Sequence, residues 1–117
     1  MIEGNLIVQK TIIFSNHVIQ YCERLEEKKK YVIARQLLRS ATSIGANVFE
    51  SQNAESRLDF IHKLKIAAKE AHETMYWLIL CEANKSYDFN ATLKNEIEEI
   101  IRILNKIIVS SKSNSKK

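Results

Sequence analysis

No proline occurs anywhere in the 117 residues, and only two glycines do, Gly4 and Gly45. Proline and glycine are the residues that most sharply interrupt helices and enforce turns. A chain nearly free of both can run in long uninterrupted segments. Apolar residues recur along it at three- and four-residue intervals, the spacing of one face of an α-helix. Four such segments are legible: about Asn5 to Lys29, Tyr31 to Ser51, Ser56 to Lys85, and Asn90 or Thr92 to Val109. Ser56 and Asp59 have the spacing of a capping box at the start of the third. The connections are short except for "NKSYDFN", so neighbouring helices are expected to run antiparallel. The expected fold class is all-α, an antiparallel up-down four-helix bundle. Residues 1–111 form its single domain, and 112–117 form a flexible basic tail too polar to pack.

Gly45 falls inside the second segment, where glycine costs about 1 kcal/mol relative to alanine. Ala34, Leu37, Leu38, Ala41, Ile44, Gly45 and Val48 share one face of that helix. Ala34, Ala41 and Gly45 form a small central seam that lets a neighbouring helix approach closely. A local kink or an early helix end is the alternative reading. In the first segment Ile7, Phe14, Val18, Cys22 and Leu25 make the core stripe. Val8, Ile12 and Ile19 make a second stripe about 100° away. In the third, Phe60, Ile61, Leu64, Ala68, Ala71, Met75 and Leu78 make the core face. Ile66, Trp77 and Leu80 point roughly the opposite way.

Apolar surface on two sides of a helix needs two partners. Six extra large side chains, at about 1.5–3 kcal/mol each when buried, contribute on the order of 10 kcal/mol. Association costs roughly 4–15 kcal/mol, so the expectation is a homo-oligomer. Val8, Ile12, Ile19, Ile66, Glu70, Glu73, Trp77 and Leu80 are the candidate interface residues.

The net charge of +4 is concentrated at the C-terminus. Without Lys112, Lys116 and Lys117 the count is 15 positive against 14 negative, a balance of +1. The basic residues that invite a nucleic-acid reading are Arg35 and Arg39, one turn apart on the second helix, and the run Lys28, Lys29 and Lys30. Arg35 and Arg39 can contact phosphates, or they can pair and stack with Glu70, Glu73 and Trp77 of a neighbouring subunit. The lysine run also fits a solvated helix end placed favourably on the helix dipole.

Catalytic signals are sparse. A carboxylate-bridged metal pair in a bundle needs inward Glu-x-x-His motifs on two helices. Asp59 and His62 have the spacing once, facing away from the core. His17 and His72 stand singly, and Glu70 and Glu73 beside His72 have no paired nucleophile. No glycine loop cradles phosphate. Cys22 and Cys81 match no metal or redox spacing, which suits reduced thiols. The expectation is a non-enzyme without cofactor or metal. The longest apolar run, Met75 to Cys81, is far shorter than the roughly 20 residues of a membrane span. The N-terminus lacks the apolar run of a signal peptide, so a cytoplasmic protein is expected.

"QLLRSATSIGANVFESQNAES" followed by "DFIHKLKIAAKEAHETMYWLIL" resembles the four-helix-bundle proteins of the 23S rRNA intervening-sequence family. The similarity spans about residues 5 to 108. It is carried most specifically by Ser43 to Asn47 with Glu50, by Asp59 to Ile61, and by Glu73 to Leu78. The resemblance implies a ring-like homopentamer. It also implies binding to RNA or DNA, or to a nucleic-acid-processing protein, as for the similar accessory proteins of diversity-generating retroelements. It supplies no catalytic residues. Relatives often follow the glutamate with glycine or alanine, whereas Ser51 stands here, which leaves the end of the second helix open.

Overall fold

The computed structural model describes residues 5–115, with side chains through Ser113. Four helices form a bundle measuring 52 × 23 × 21 Å: α1 (Leu6–Glu27), α2 (Tyr31–Ser51), α3 (Arg57–Ala83) and α4 (Ala91–Ser115). A 3-10 turn (Lys85–Tyr87) links the last two. Each helix packs against its chain neighbours, and α1 closes the ring more loosely against α4.

The helix ends follow side-chain chemistry. The Asn5 side chain accepts from the Val8 amide at α1. At α3 the Ser56 hydroxyl accepts from the Asp59 amide, 3.0 Å. The Asp59 carboxylate accepts from the amide of Glu55, one residue before Ser56, at 3.2 Å. The box is therefore formed with its return bond displaced by one position. Of the two starts expected for α4, Asn90 is used, its side chain accepting from the Thr92 amide at 2.9 Å. α4 runs to Ser115, six residues beyond Val109, so the start of the expected tail has helical backbone. Lys116 and Lys117 lie outside the described residues.

α1 stops at Glu27, two residues before the expected end, in a tight C-terminal turn. The amide of Lys30 donates to the Leu25 carbonyl at 2.8 Å, and that of Lys29 to Glu26 at 2.9 Å. Lys29 has φ 64, the left-handed conformation. These two bonds make a Schellman motif, in which glycine usually holds the left-handed position. A side chain there costs about 1 kcal/mol. Lys29→Gly is expected to raise unfolding stability by about 1 kcal/mol, measured by urea denaturation.

The core is formed by the expected stripes with local changes. Phe14, Val18, Leu37, Ile44, Leu64 and Leu78 are completely or almost completely buried. α4 adds Leu93, Ile97, Ile100 and Leu104. On α3 the buried face takes in Ala67 and Thr74, while Phe60, Ala68 and Met75 are half-buried beside it. On α2 Leu38 is exposed rather than buried. The buried Ser40 and Thr74 hydroxyls bond each other across α2 and α3 at 2.8 Å, as buried hydroxyls require. Burial pushes the Cys22 thiol up to about 12 and that of Cys81 upward. Both are free, buried thiols. Tyr21, raised by the same burial, donates its hydroxyl to the Tyr87 carbonyl at 2.8 Å. This bond ties the α3–α4 connection to α1.

Ser51 ends α2 and is 2% exposed, its hydroxyl donating to the Val48 carbonyl at 2.6 Å. A small side chain is what this buried site admits. Serine fits by returning its one donor to its own helix.

Candidate functional site

The three small residues of the expected seam differ in their surroundings. Ala34 and Ala41 are buried, with the Cys22 thiol donating to the Ala34 carbonyl at 3.3 Å. Gly45 is half-buried and faces Thr11 and Ser15 of α1. A Cβ built there would lie 3.4 Å from the Ser15 hydroxyl oxygen and 3.6 Å from the Thr11 Cβ, ordinary contact distances. The chain's own packing therefore has room for alanine at this position. Gly45 lies on a surface groove of about 320 Å³ between α1 and α2, lined also by Ile12, Ser15, Asn16, Thr42, Ala46 and Phe49. No lining residue is charged.

Two residues of this region were not legible as exposed. Phe49 is 53% exposed and Leu38 36%. With Thr11 and Ser15 opposite Gly45, and Cys22 opposite Ala34, the antiparallel register puts Ile19 level with Leu38. Ile12 and Ile19, from the expected second stripe of α1, are exposed here. Val8 is corrected: it is 1% exposed and belongs to the chain's own core, because the register sets it beside Val48 in the last turns of α2. Ile66 and Leu80 are half-buried, and Trp77 is half-buried against the core.

The charged candidates come together within one chain. Arg39 forms ion pairs with Glu73 and, at 3.6 Å, with Glu70. Trp77 donates its indole N–H to Glu73 at 3.0 Å. That bond, and then Arg39, hold the Glu73 carboxyl below the ordinary carboxylate range. Glu70 Oε1 is buried without a hydrogen bond. One of the two readings of Arg35 and Arg39 set these acids opposite a neighbour's arginines, whereas Arg39 pairs with them within the chain. The intrachain pairing arises because Arg39, at the outer edge of α2, is long enough to reach over to α3.

Lys28, Lys29 and Lys30 form the α1–α2 turn. Lys28 pairs with Asp88, and the Lys30 ammonium sits 5.3 Å from the centre of the Tyr87 ring. Arg35 lies 5.9 Å from the centre of the Tyr31 ring, a cation–π distance. Three of the five expected basic contacts, Lys28, Lys30 and Arg39, are thus engaged with another helix or connection of the same chain. Among the described residues no group of three or more His, Cys, Asp or Glu could hold a metal. No described helix is long and apolar enough to cross a membrane.

A solved crystal structure of a protein of unknown function from the S23 ribosomal protein family of Bacteroides thetaiotaomicron is similar to this chain. Its identity is 39%, over 88% of this chain and 98% of that one, with a TM-score of 0.80. No curated protein matches the chain. Residues 3–106 match the family described as 23S rRNA-intervening sequence protein. With that match running from the start of α1 into α4, and a relative in the same fold, this chain belongs to the 23S rRNA-intervening sequence protein family.

Proposed function

We propose that the protein is a non-enzymatic, self-assembling bundle, a homopentamer working in the cytoplasm as an accessory to nucleic acid or to a nucleic-acid-processing protein. The observation that carries the assembly is Gly45. Glycine costs a helix interior about 1 kcal/mol, and nothing inside the chain requires it, since an alanine Cβ would meet only ordinary contacts. What glycine preserves is the depth of an uncharged groove flanked by Ile12 and Phe49. A second copy of the chain, seated there, would offset both the glycine and the exposed apolar side chains. The pentameric number and the nucleic-acid partner rest on the family resemblance.

A second reading, a scaffold whose partner is another protein, draws support from the basic residues. Lys28 and Arg39 are engaged in ion pairs with the chain's own acids. The test that separates the two is titration of the full chain with structured RNA and with duplex DNA at several salt concentrations. The accessory reading expects sequence-independent binding whose logarithm falls linearly with the logarithm of salt. No binding at about 50 mM salt would leave the scaffold.

A further inference from the structure

From Leu6 to Gln20, α1 has only two ionisable side chains, Lys10 and His17. Both turn toward α4, where they pair with Glu99 at 2.7 Å and Glu96 at 2.9 Å. The outer side of this stretch therefore carries no charge, in a chain with 27% charged residues. Surface helices ordinarily turn their charges to solvent. In place of charge, α1 has two apolar shoulders. Ile12 lies on the α2 side, in the groove that holds Gly45, and Ile19 follows about two turns later. Ile13, about 100° round the helix, lies on the α4 side beside Lys10, Glu99 and Ile100. Leu6 precedes it by about two turns on the same side. All four are exposed.

The shoulders differ in relief. On the α2 side, Ser15, Thr42, Gly45 and Ala46 are small and leave a recess. On the α4 side, Leu6 and Ile13 stand out from the surface. Recess and projection lie at one height: Gly45 faces Thr11 and Ser15, and Ile13 is midway between those two residues of α1. Within the single chain Ile13 is half exposed and adds little to the core.

We infer that the second copy seated in the α1–α2 groove presents the Leu6 and Ile13 side of its own α1, with Ile13 over Gly45. This deepens the self-assembly reading and rests on it. An uncharged groove takes an uncharged occupant without the cost of stripping water from an ion, and this chain carries one at the matching height. Charge is complementary at the outer edge of the same contact. The Lys10–Glu99 and His17–Glu96 pairs set Lys106 level with the start of α1, and the Gly45 contacts set Glu50 there too. Copies rotated about an axis parallel to the helices bring equal heights together. Exposed Lys106 of one copy then meets exposed Glu50 of the next.

The surface offered and the surface received occupy adjacent sides of the bundle and share α1. A contact between two different surfaces repeats head to tail, and it closes into a ring when the rotation closes. Adjacent sides turn each copy inward, whereas opposite sides would stack copies in a line. α1 of every copy is then innermost, with Gln9, Asn16 and Gln20 toward the axis. Like charges repeated around an axis would repel, and these three side chains have none.

The experiment is light scattering on two variants at exposed positions, alone and mixed. Ile13→Lys spoils the projection and keeps the groove. Ala46→Lys spoils the groove and keeps the projection. Each alone is expected to keep its helical circular dichroism and to give the 13.6 kDa mass of one chain. Mixed in equal amounts, they should give about twice that 13.6 kDa mass, because one intact groove meets one intact projection and the pair cannot grow. Single-chain mass in the mixture overturns the assignment, since a groove seated on another groove gains nothing from mixing. Wild-type mass for Ile13→Lys alone overturns it too. The double variant Ile13→Cys, Ala46→Cys covers the case in which a lysine variant misfolds. On mild oxidation it should give a ladder of cross-linked chains, the native Cys22 and Cys81 being buried. An assembled double variant that forms no cross-link overturns the assignment. A wild type that gives the mass of one chain fails the self-assembly reading itself, an outcome distinct from the others.

Discussion

Gly45→Leu is expected to leave the bundle folded and to break the assembly into smaller species. The first atom of the new side chain fits, at 3.4–3.7 Å from Ser15 and Thr11. The remaining atoms turn into the groove of about 320 Å³ between α1 and α2. They fill the space a second subunit would occupy, and overpacking a closed contact typically costs about 1–3 kcal/mol. With the same groove repeated in every subunit, that penalty recurs at each interface. Gly45→Ala is expected to behave differently. It recovers up to about 1 kcal/mol of helix propensity, a rise in melting temperature of roughly 4 °C, with the helical content unchanged. Circular dichroism for the fold and light scattering for the mass separate the two effects. A Leu variant that keeps the wild-type mass would mean the groove faces solvent in the assembly.

Adjacent residues on α1 should differ more sharply in stability. Phe14 is completely buried and Ile13 is 51% exposed, although both are large and apolar. Phe14→Ala removes a ring from a site closed on all sides and should cost about 3–5 kcal/mol. For a domain whose total stability is about 5–15 kcal/mol, that lowers the melting temperature on the order of 15 °C. Ile13→Ala should cost less than about 1 kcal/mol. Urea denaturation of the two variants measures the difference. Near-equal losses would mean that α1 is rotated about its axis relative to the packing described.

Phe14, Val18, Cys22 and Leu25 were legible because a single helical period fixes which residues share a stripe. The same arithmetic placed Ala34 and Ala41 in the interior. Val8 escaped it: its position on the wheel lies between two faces, and burial there depends on how far α2 extends past it. Leu38 failed for the complementary reason. It sits on the edge of the α2 core face, where the angle between helices decides whether α1 covers it, and α1 does not.

The site was less readable than the fold because its determinants are not periodic. Arg39, Glu70, Glu73 and Trp77 were all singled out. Nothing in their spacing, however, shows that Arg39 spans from α2 to α3 inside one chain. That contact depends on side-chain reach and rotamer. The lysine run was equally opaque. Lysine at Lys29 gives no sign of a left-handed residue, and Asp88 and Tyr87, which engage Lys28 and Lys30, lie about 60 positions away in sequence.

If the chain assembles through the apolar surface that the isolated bundle exposes, its mass in solution shows it. Size-exclusion chromatography coupled to light scattering, on the full chain at about 50 μM, should give five times the 13.6 kDa chain, about 68 kDa. A single species of 13.6 kDa at that concentration would show that the chain does not assemble. Ile12, Ile19 and Phe49 would then be solvent-facing residues, and Gly45 would have no partner to receive.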